Sequence, residues 1–146
     1  MKIFIAFLLL ALPQASVKWE PDFENARRMA KEHHELILLN FSGSDWCGPC
    51  ILMRKEYFES ETFSAFADDH LILVNADFPR NKKNQQSADK VKRNEALAEL
   101  YNKEGFFPLT LLLNADGKVL KTWKGKPEEP VAQWTAAIKA ICDANK

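Results

Sequence analysis

The chain has 146 residues, 47% apolar and 27% charged, the balance of one ordinary globular domain and not of a disordered or fibrous chain. Its 20 basic and 20 acidic side chains cancel, leaving no overall field to draw in nucleic acid or an anionic membrane. Three cysteines are too few for a disulfide-stapled scaffold.

Met1-Lys2 gives a short positive start, and Ile3 to Leu12 is an apolar run closed by Pro13-Gln14-Ala15-Ser16. The run is too short to span a bilayer but suits a secretory signal core. Residues 1–15 are therefore expected to be a signal peptide, and the protein to be exported, periplasmic or secreted. The competing reading, a buried N-terminal strand or helix, is disfavoured by Lys2 and Pro13. Pro21 to His34 predicts a helix, because Phe23, Ala26, Ala30 and His33 recur at near-helical spacing opposite Arg27, Arg28, Lys31 and Glu32. Leu36 to Phe41 reads as a buried strand and Ser42 to Asp45 as a loop. Cys47 to about Ser60 is expected to be helical, followed by a short helix over Glu61 to Asp69 and a strand over Leu71 to Ala76.

Phe78 to Arg93 is polar and mostly basic, with Lys82, Lys83, Lys90, Lys92 and Arg93 against Asp89. A loop is expected over Arg80 to Ser87, then a helix over Ala88 to Lys103 ended by Gly105. Leu109 to Leu113 and Lys118 to Trp123 read as strands joined by the hairpin signal Asn114-Ala115-Asp116-Gly117. Pro127 and Pro130 open a last helix with Val131, Trp134, Ile138 and Ile141 as its apolar stripe. This order predicts an α/β fold. A central mixed β-sheet is flanked by helices on both faces, with an antiparallel edge from the hairpin.

The chemistry concentrates in Trp46-Cys47-Gly48-Pro49-Cys50. Two cysteines at this spacing can close a small disulfide ring. At the first turn of a helix they also meet unpaired N–H groups and the positive dipole end, which favour a thiolate. Free cysteine titrates at about 8.5, and C-x-x-C pairs at helix N-termini at roughly 3.5–7.5. Cys47, ahead of the helix, is the candidate nucleophile with an exposed sulfur. Cys50, one turn in and more buried, is the candidate resolving thiol. A resting disulfide and a zinc half-site are the competing readings. Zinc needs further ligands, and the sequence has no second C-x-x-C and only His33, His34 and His70, so no metal is expected.

The full pentapeptide after an apolar strand resembles the thioredoxin superfamily, particularly its exported thioredoxin-like members. Gly105-Phe106-Phe107-Pro108-Leu109-Thr110 resembles that family's cis-proline segment. Lys118 to Gly125 resembles its last hairpin strand and following glycine. The likeness covers roughly residues 19 to 143 and implies a thioredoxin-like domain over 19–146. It implies a protein-disulfide reductase in which Cys47 and Cys50 are catalytic and Trp46, Gly48, Pro49, Phe107 and Pro108 border the substrate. It also implies that Pro108 follows a cis bond (the bland alternative is a trans proline starting a strand) and that Phe107 can pair with an extended substrate. No cofactor is expected, because the cysteines carry the electrons. The expected partners are protein disulfide or thiol substrates and a membrane electron donor, with no nucleic acid, and the chain is expected to be a monomer. Gly48-Pro49 resembles the reducing end of the family, about −270 mV for thioredoxin against about −120 mV for the oxidant DsbA. The alternatives are a disulfide oxidant or isomerase, or a redox-inactive binding module using the same groove.

Three positions depart from the family pattern. Asn40 stands where a buried carboxylate is usual, the loop Ser42 to Asp45 is one residue longer, and Leu109 separates Pro108 from Thr110. Asn40 reads equally as the anchor of a water that relays the Cys50 proton or as a satisfied buried amide. Trp46 reads as a substrate platform or a packed aromatic, and Asp45 as a charge that would raise a neighbouring thiol's pKa. Cys142 reads as a small buried hydrophobe before a pairing thiol. The basic segment reads as a solvated face before a docking patch for an acidic partner.

Overall fold

Side chains alternate across a strand, and three short apolar runs use both faces of that alternation. The computed structural model describes residues 16–146; the signal-peptide expectation falls on residues 1–15, outside the described residues. The elements in chain order are α1 (Phe23–His33), β1 (Leu36–Ser42), α2 (Gly48–Met53), a π-helical turn (Arg54–Phe58), α3 (Glu61–His70) and β2 (Leu71–Asp77). A 3-10 turn (Lys82–Asn84), α4 (Ala88–Tyr101), β3 (Leu109–Leu113), β4 (Val119–Lys124) and α5 (Val131–Ala144) follow. The sheet order is β2-β1-β3-β4, with β1 parallel to β2 and both other pairs antiparallel.

On one face, Leu36, Leu38, Leu71, Leu73 and Leu112 pack with Met53, Tyr57, Phe58, Phe63, Trp134 and Ile138 from α2, the π turn, α3 and α5. On the other, Ile37, Leu39, Phe41, Ile72, Val74, Leu109, Leu111 and Leu113 meet Ala26 and Ala30 of α1 and Leu97 of α4. Burying such a side chain stabilises by roughly 1.5–3 kcal/mol, so this two-sided strand pattern dominates the fold's energetics. The same parity puts Asn40, Asn75 and Thr110 on the face covered by α2, where Asn40 is register partner to both others.

The helix expected over Cys47 to about Ser60 runs unbroken from Gly48 to Phe58, but its winding changes on the way. After Met53 the chain widens into the π turn, where the Glu59 N–H reaches back to the Arg54 carbonyl at 2.9 Å. The extra residue turns Tyr57 and Phe58 inward together. Tyr57 Oη then donates to the carbonyls of Pro127 and Glu129, at 3.0 and 2.5 Å. That anchor holds the chain out of helix until Pro130, so α5 opens at Val131 and not at Pro127. Similarly α1 starts at Phe23, because Asp22 caps it by accepting the Asn25 N–H at 2.8 Å. The hairpin forms as expected, with Gly117 at φ 83° and Asn114 Oδ1 accepting the Asp116 and Lys118 N–H groups.

Candidate active site

β1 delivers the chain through a tight loop to α2, and the two cysteines sit at that junction. Cys47 is the N-cap, outside the first helical turn, and its Sγ accepts the Cys50 N–H at 3.3 Å. Cys47 and Cys50 are joined as a disulfide with Cα atoms 5.2 Å apart. The expected contrast of an exposed Cys47 and a buried Cys50 does not appear, since the two are 5% and 3% exposed. The S–S bond points both sulfurs at each other, and the exposed surface above them belongs to Gly48 and Pro49. What separates the cysteines is the inner side: Cys50 lines a cavity of about 60 Å³ together with Asn40, Ser42, Ser44, Asn75 and Arg54.

Asn40 lies at the sheet end of that cavity. Its Nδ2 donates to Asn75 Oδ1 at 2.9 Å, and its Oδ1 accepts the Thr110 hydroxyl at 3.1 Å. These bonds use one of its two amide hydrogens and one of its two acceptor sites. Among the described residues, no carboxylate lines the cavity. Pro108 follows a cis peptide bond, is buried, and accepts the Gly125 N–H at 2.9 Å. Gly125 sits at φ 81°, a conformation that glycine supplies without strain.

Trp46 is half-buried and packed on every side but one. Its indole N–H donates to the Phe78 carbonyl at 2.7 Å, and Phe107 meets it edge-on at 5.4 Å between centroids. The Arg80 guanidinium lies 3.7 Å from its ring centre. Gly43 is required beneath it, since a Cβ there would stand 2.3 Å from Trp46 Cε2. Asp45 accepts the N–H groups of Arg80 and Asn81 at 2.9 Å each and Asn84 Nδ2 at 3.0 Å. The Arg80 N–H, then the Asn84 amide, hold its carboxyl below the usual carboxylate range. Ser44 completes the clasp, its N–H and hydroxyl both donating to Asp77.

The geometry thus brings Trp46, Cys47, Gly48, Pro49 and Cys50 together, and places Phe107, which leads into Pro108, against Trp46. Gly43, Phe78, Arg80, Asn75 and Thr110 join the site without having been singled out for it. Cys142 lies elsewhere, buried in α5, where burial pushes its thiol up to about 11.

A four-stranded sheet of this order, carrying a bonded C-x-x-C at a helix start beside a cis-proline turn, defines a thioredoxin-fold protein with a dithiol–disulfide pair. The family model of the thioredoxin-like domain matches residues 23–141, and the chain belongs to that family. It is 38% identical over 106 residues to the disulfide bond reductase DsbH of Chlamydia pneumoniae, covering 73% of this chain and 61% of that protein. It is 34% identical over 67 residues to the thioredoxin-related protein DsbJ of the same organism, covering 46% of this chain and 19% of that protein. A solved DsbH oxidoreductase structure superposes with a TM-score of 0.79 at 32% identity, covering 93% of this chain and 92% of that one. A Thermus thermophilus thioredoxin shares the fold with a TM-score of 0.64 at 15% identity, covering 87% of this chain and 88% of that one.

Proposed function

We propose that the protein is a thiol–disulfide oxidoreductase that reduces protein disulfides in an extracytoplasmic compartment, with residues 19–146 as its working domain. The Cys47 thiolate attacks one sulfur of a substrate disulfide. The substrate S–S bond breaks, a mixed disulfide forms, and the first substrate sulfur leaves and takes up a proton. Cys50 then loses its proton and attacks Cys47 Sγ. The mixed disulfide breaks, the second substrate thiol leaves, and the pair ends as the Cys47–Cys50 disulfide. Two electrons pass from the dithiol to the substrate, and no other carrier takes part in this half-reaction.

The observation that carries this reading is the asymmetry of the bonded pair. Cys47 Sγ sits at the N-cap facing the Cys50 N–H, a donor that stabilises negative sulfur, while Cys50 faces the inner cavity. That asymmetry supports attack by Cys47 and resolution by Cys50. Among the described residues the cavity lining holds no carboxylate, so the Cys50 proton goes to solvent without a built-in base. Gly48-Pro49 and the likeness to a protein named a disulfide bond reductase support electron flow toward the substrate. The Lys2-led apolar run supports export, which would require a membrane electron donor to recharge the pair.

A Cys50→Ser variant tests the reading. It should accumulate mixed disulfides with client proteins that reducing agent releases, and Cys47→Ser should not. Noncovalent capture alone would show a binding module instead. Equilibration of the wild type with a glutathione buffer tests direction: a reductase poises near about −270 mV, and a poise near about −120 mV would reverse the assignment.

A further inference from the structure

Three consecutive residues before the cysteines each hold one piece of the segment after β2. Ser44 holds Asp77, Asp45 holds Arg80, Asn81 and Asn84, and Trp46 holds Phe78. A segment expected to be a free basic loop is thus fastened along the rim of the redox site. Arg80 lies on the outer face of Trp46, next to Cys47 in sequence, and Lys82 and Lys83 form the exposed 3-10 turn beyond it. Among the described residues, no side chain of Arg80, Lys82 or Lys83 takes part in an ion pair. Asp45, the nearest acid, already accepts three N–H donors.

A guanidinium stacked on an indole keeps its in-plane donors free, and that planar fork matches a carboxylate. Residues 78–93 hold six cations (Arg80, Lys82, Lys83, Lys90, Lys92 and Arg93) and one acid, Asp89, in a chain of zero net charge. Of these, Arg80, Lys82 and Lys83 lie in the part of the segment fastened to the rim, whose own acids Asp45 and Asp77 are taken up by the clasp, while Lys90, Lys92 and Arg93 belong to α4. We propose that this flank docks an acidic stretch of the substrate protein beside its disulfide, with Arg80 as the lead contact and Lys82 and Lys83 extending the track. The inference rests on the reading that Cys47 attacks protein disulfides, and it names the class of disulfide preferred.

The test compares second-order rates at which the reduced protein cleaves three peptide disulfides of one core sequence, flanked by Asp/Glu, Ser/Gly or Lys/Arg. At roughly 10 mM salt, where screening extends over about 30 Å, the acidic peptide should react about tenfold faster than the basic one. The rates should converge near about 1 M salt, where that length is about 3 Å. The ratio should fall toward one in Lys82→Gln/Lys83→Gln, and further when Arg80→Gln is added. Equal rates at low salt, or a preference that survives the triple substitution, would overturn the docking flank. Failure of even the Ser/Gly peptide to react would instead overturn the oxidoreductase reading, and this inference with it.

Discussion

Gly43→Ala is the smallest change that tests how the site is held. The added methyl would stand 2.3, 2.5 and 2.6 Å from Trp46 Cε2, Cζ2 and Nε1, where ordinary van der Waals contact starts at 3.4 Å. The ring must retreat by about 1 Å, because a flat indole has no soft end to swing aside. A shift of that size stretches the 2.7 Å bond from Trp46 Nε1 to the Phe78 carbonyl to its limit and unseats Arg80 from the ring. Overpacking of this kind costs about 1–3 kcal/mol, and the lost hydrogen bond about 1 kcal/mol more. With a urea dependence of roughly 1–3 kcal/mol per molar, the unfolding midpoint should fall by about 1 M. Trp46 fluorescence should shift in the same variant. A Trp46→Phe background, whose ring is smaller and has no N–H, should absorb most of the cost in a double-mutant cycle. An unchanged midpoint and spectrum in Gly43→Ala would refute the packing.

Three further outcomes follow from the same coordinates. The Cys142 thiol, pushed up to about 11 from 9.0, should alkylate at pH 8 about a hundredfold more slowly in the folded oxidised protein than in urea. Because the fold disfavours its thiolate, its contribution is complete below about pH 9 and is lost as the pH rises from there; rapid native-state alkylation would contradict its burial. Asp45 has a depressed pKa, so its clasp is intact above about pH 3.9, the ordinary carboxylate value, and is lost as pH falls through the lower folded value. Amide protection at Arg80 and Asn81, relative to the intrinsic exchange rate at each pH, should fall only in that acid window, and loss of protection near neutrality would point to another anchor. Trp134 is wholly buried and its Nε1 has no partner among the described residues, so Trp134→Phe removes an orphan donor along with some packing. It should cost less than about 2 kcal/mol against about 3–5 kcal/mol for Trp134→Ala, and equal costs would deny the orphan's penalty.

The elements that sequence reading located are those with a strong local cause. Strands rested on unbroken apolar runs, and the hairpin rested on Asn114 and Gly117, whose side-chain cap and positive φ are local requirements. The helix after Cys47 is legible but its π winding is not, because a π turn leaves no mark in periodicity: Tyr57 and Phe58 both turn inward through contacts with α5 and Pro127. The polar row was legible in principle. Leu36 to Asn40 and Leu71 to Asn75 are parallel copies of one pattern, four apolar residues and an asparagine, and their pairing in register brings the amides together. Gly43 and the reach of Asp45 to residues 80–84 could not be read locally, since each depends on a partner more than 30 positions away or on a ring folded back over the loop.

That polar row bears on the chemistry beside Cys50. An ionised carboxylate at position 40 would carry a burial cost of several kcal/mol unless paired, and would titrate jointly with a thiol sharing its cavity. Asn40 avoids both, because its donor and acceptor are satisfied by Asn75 and Thr110 through neighbouring strands already fixed in register. The arrangement gives up a built-in base for the Cys50 proton. In exchange, among the described residues the one charged side chain on that cavity wall is Arg54. The pH dependence of exchange is then set by sulfur and by the N–H that Cys47 faces, without a coupled buried acid to spread it into two steps. A site built this way depends for its selectivity on what surrounds the sulfurs, and the fastened basic rim is the nearest such feature.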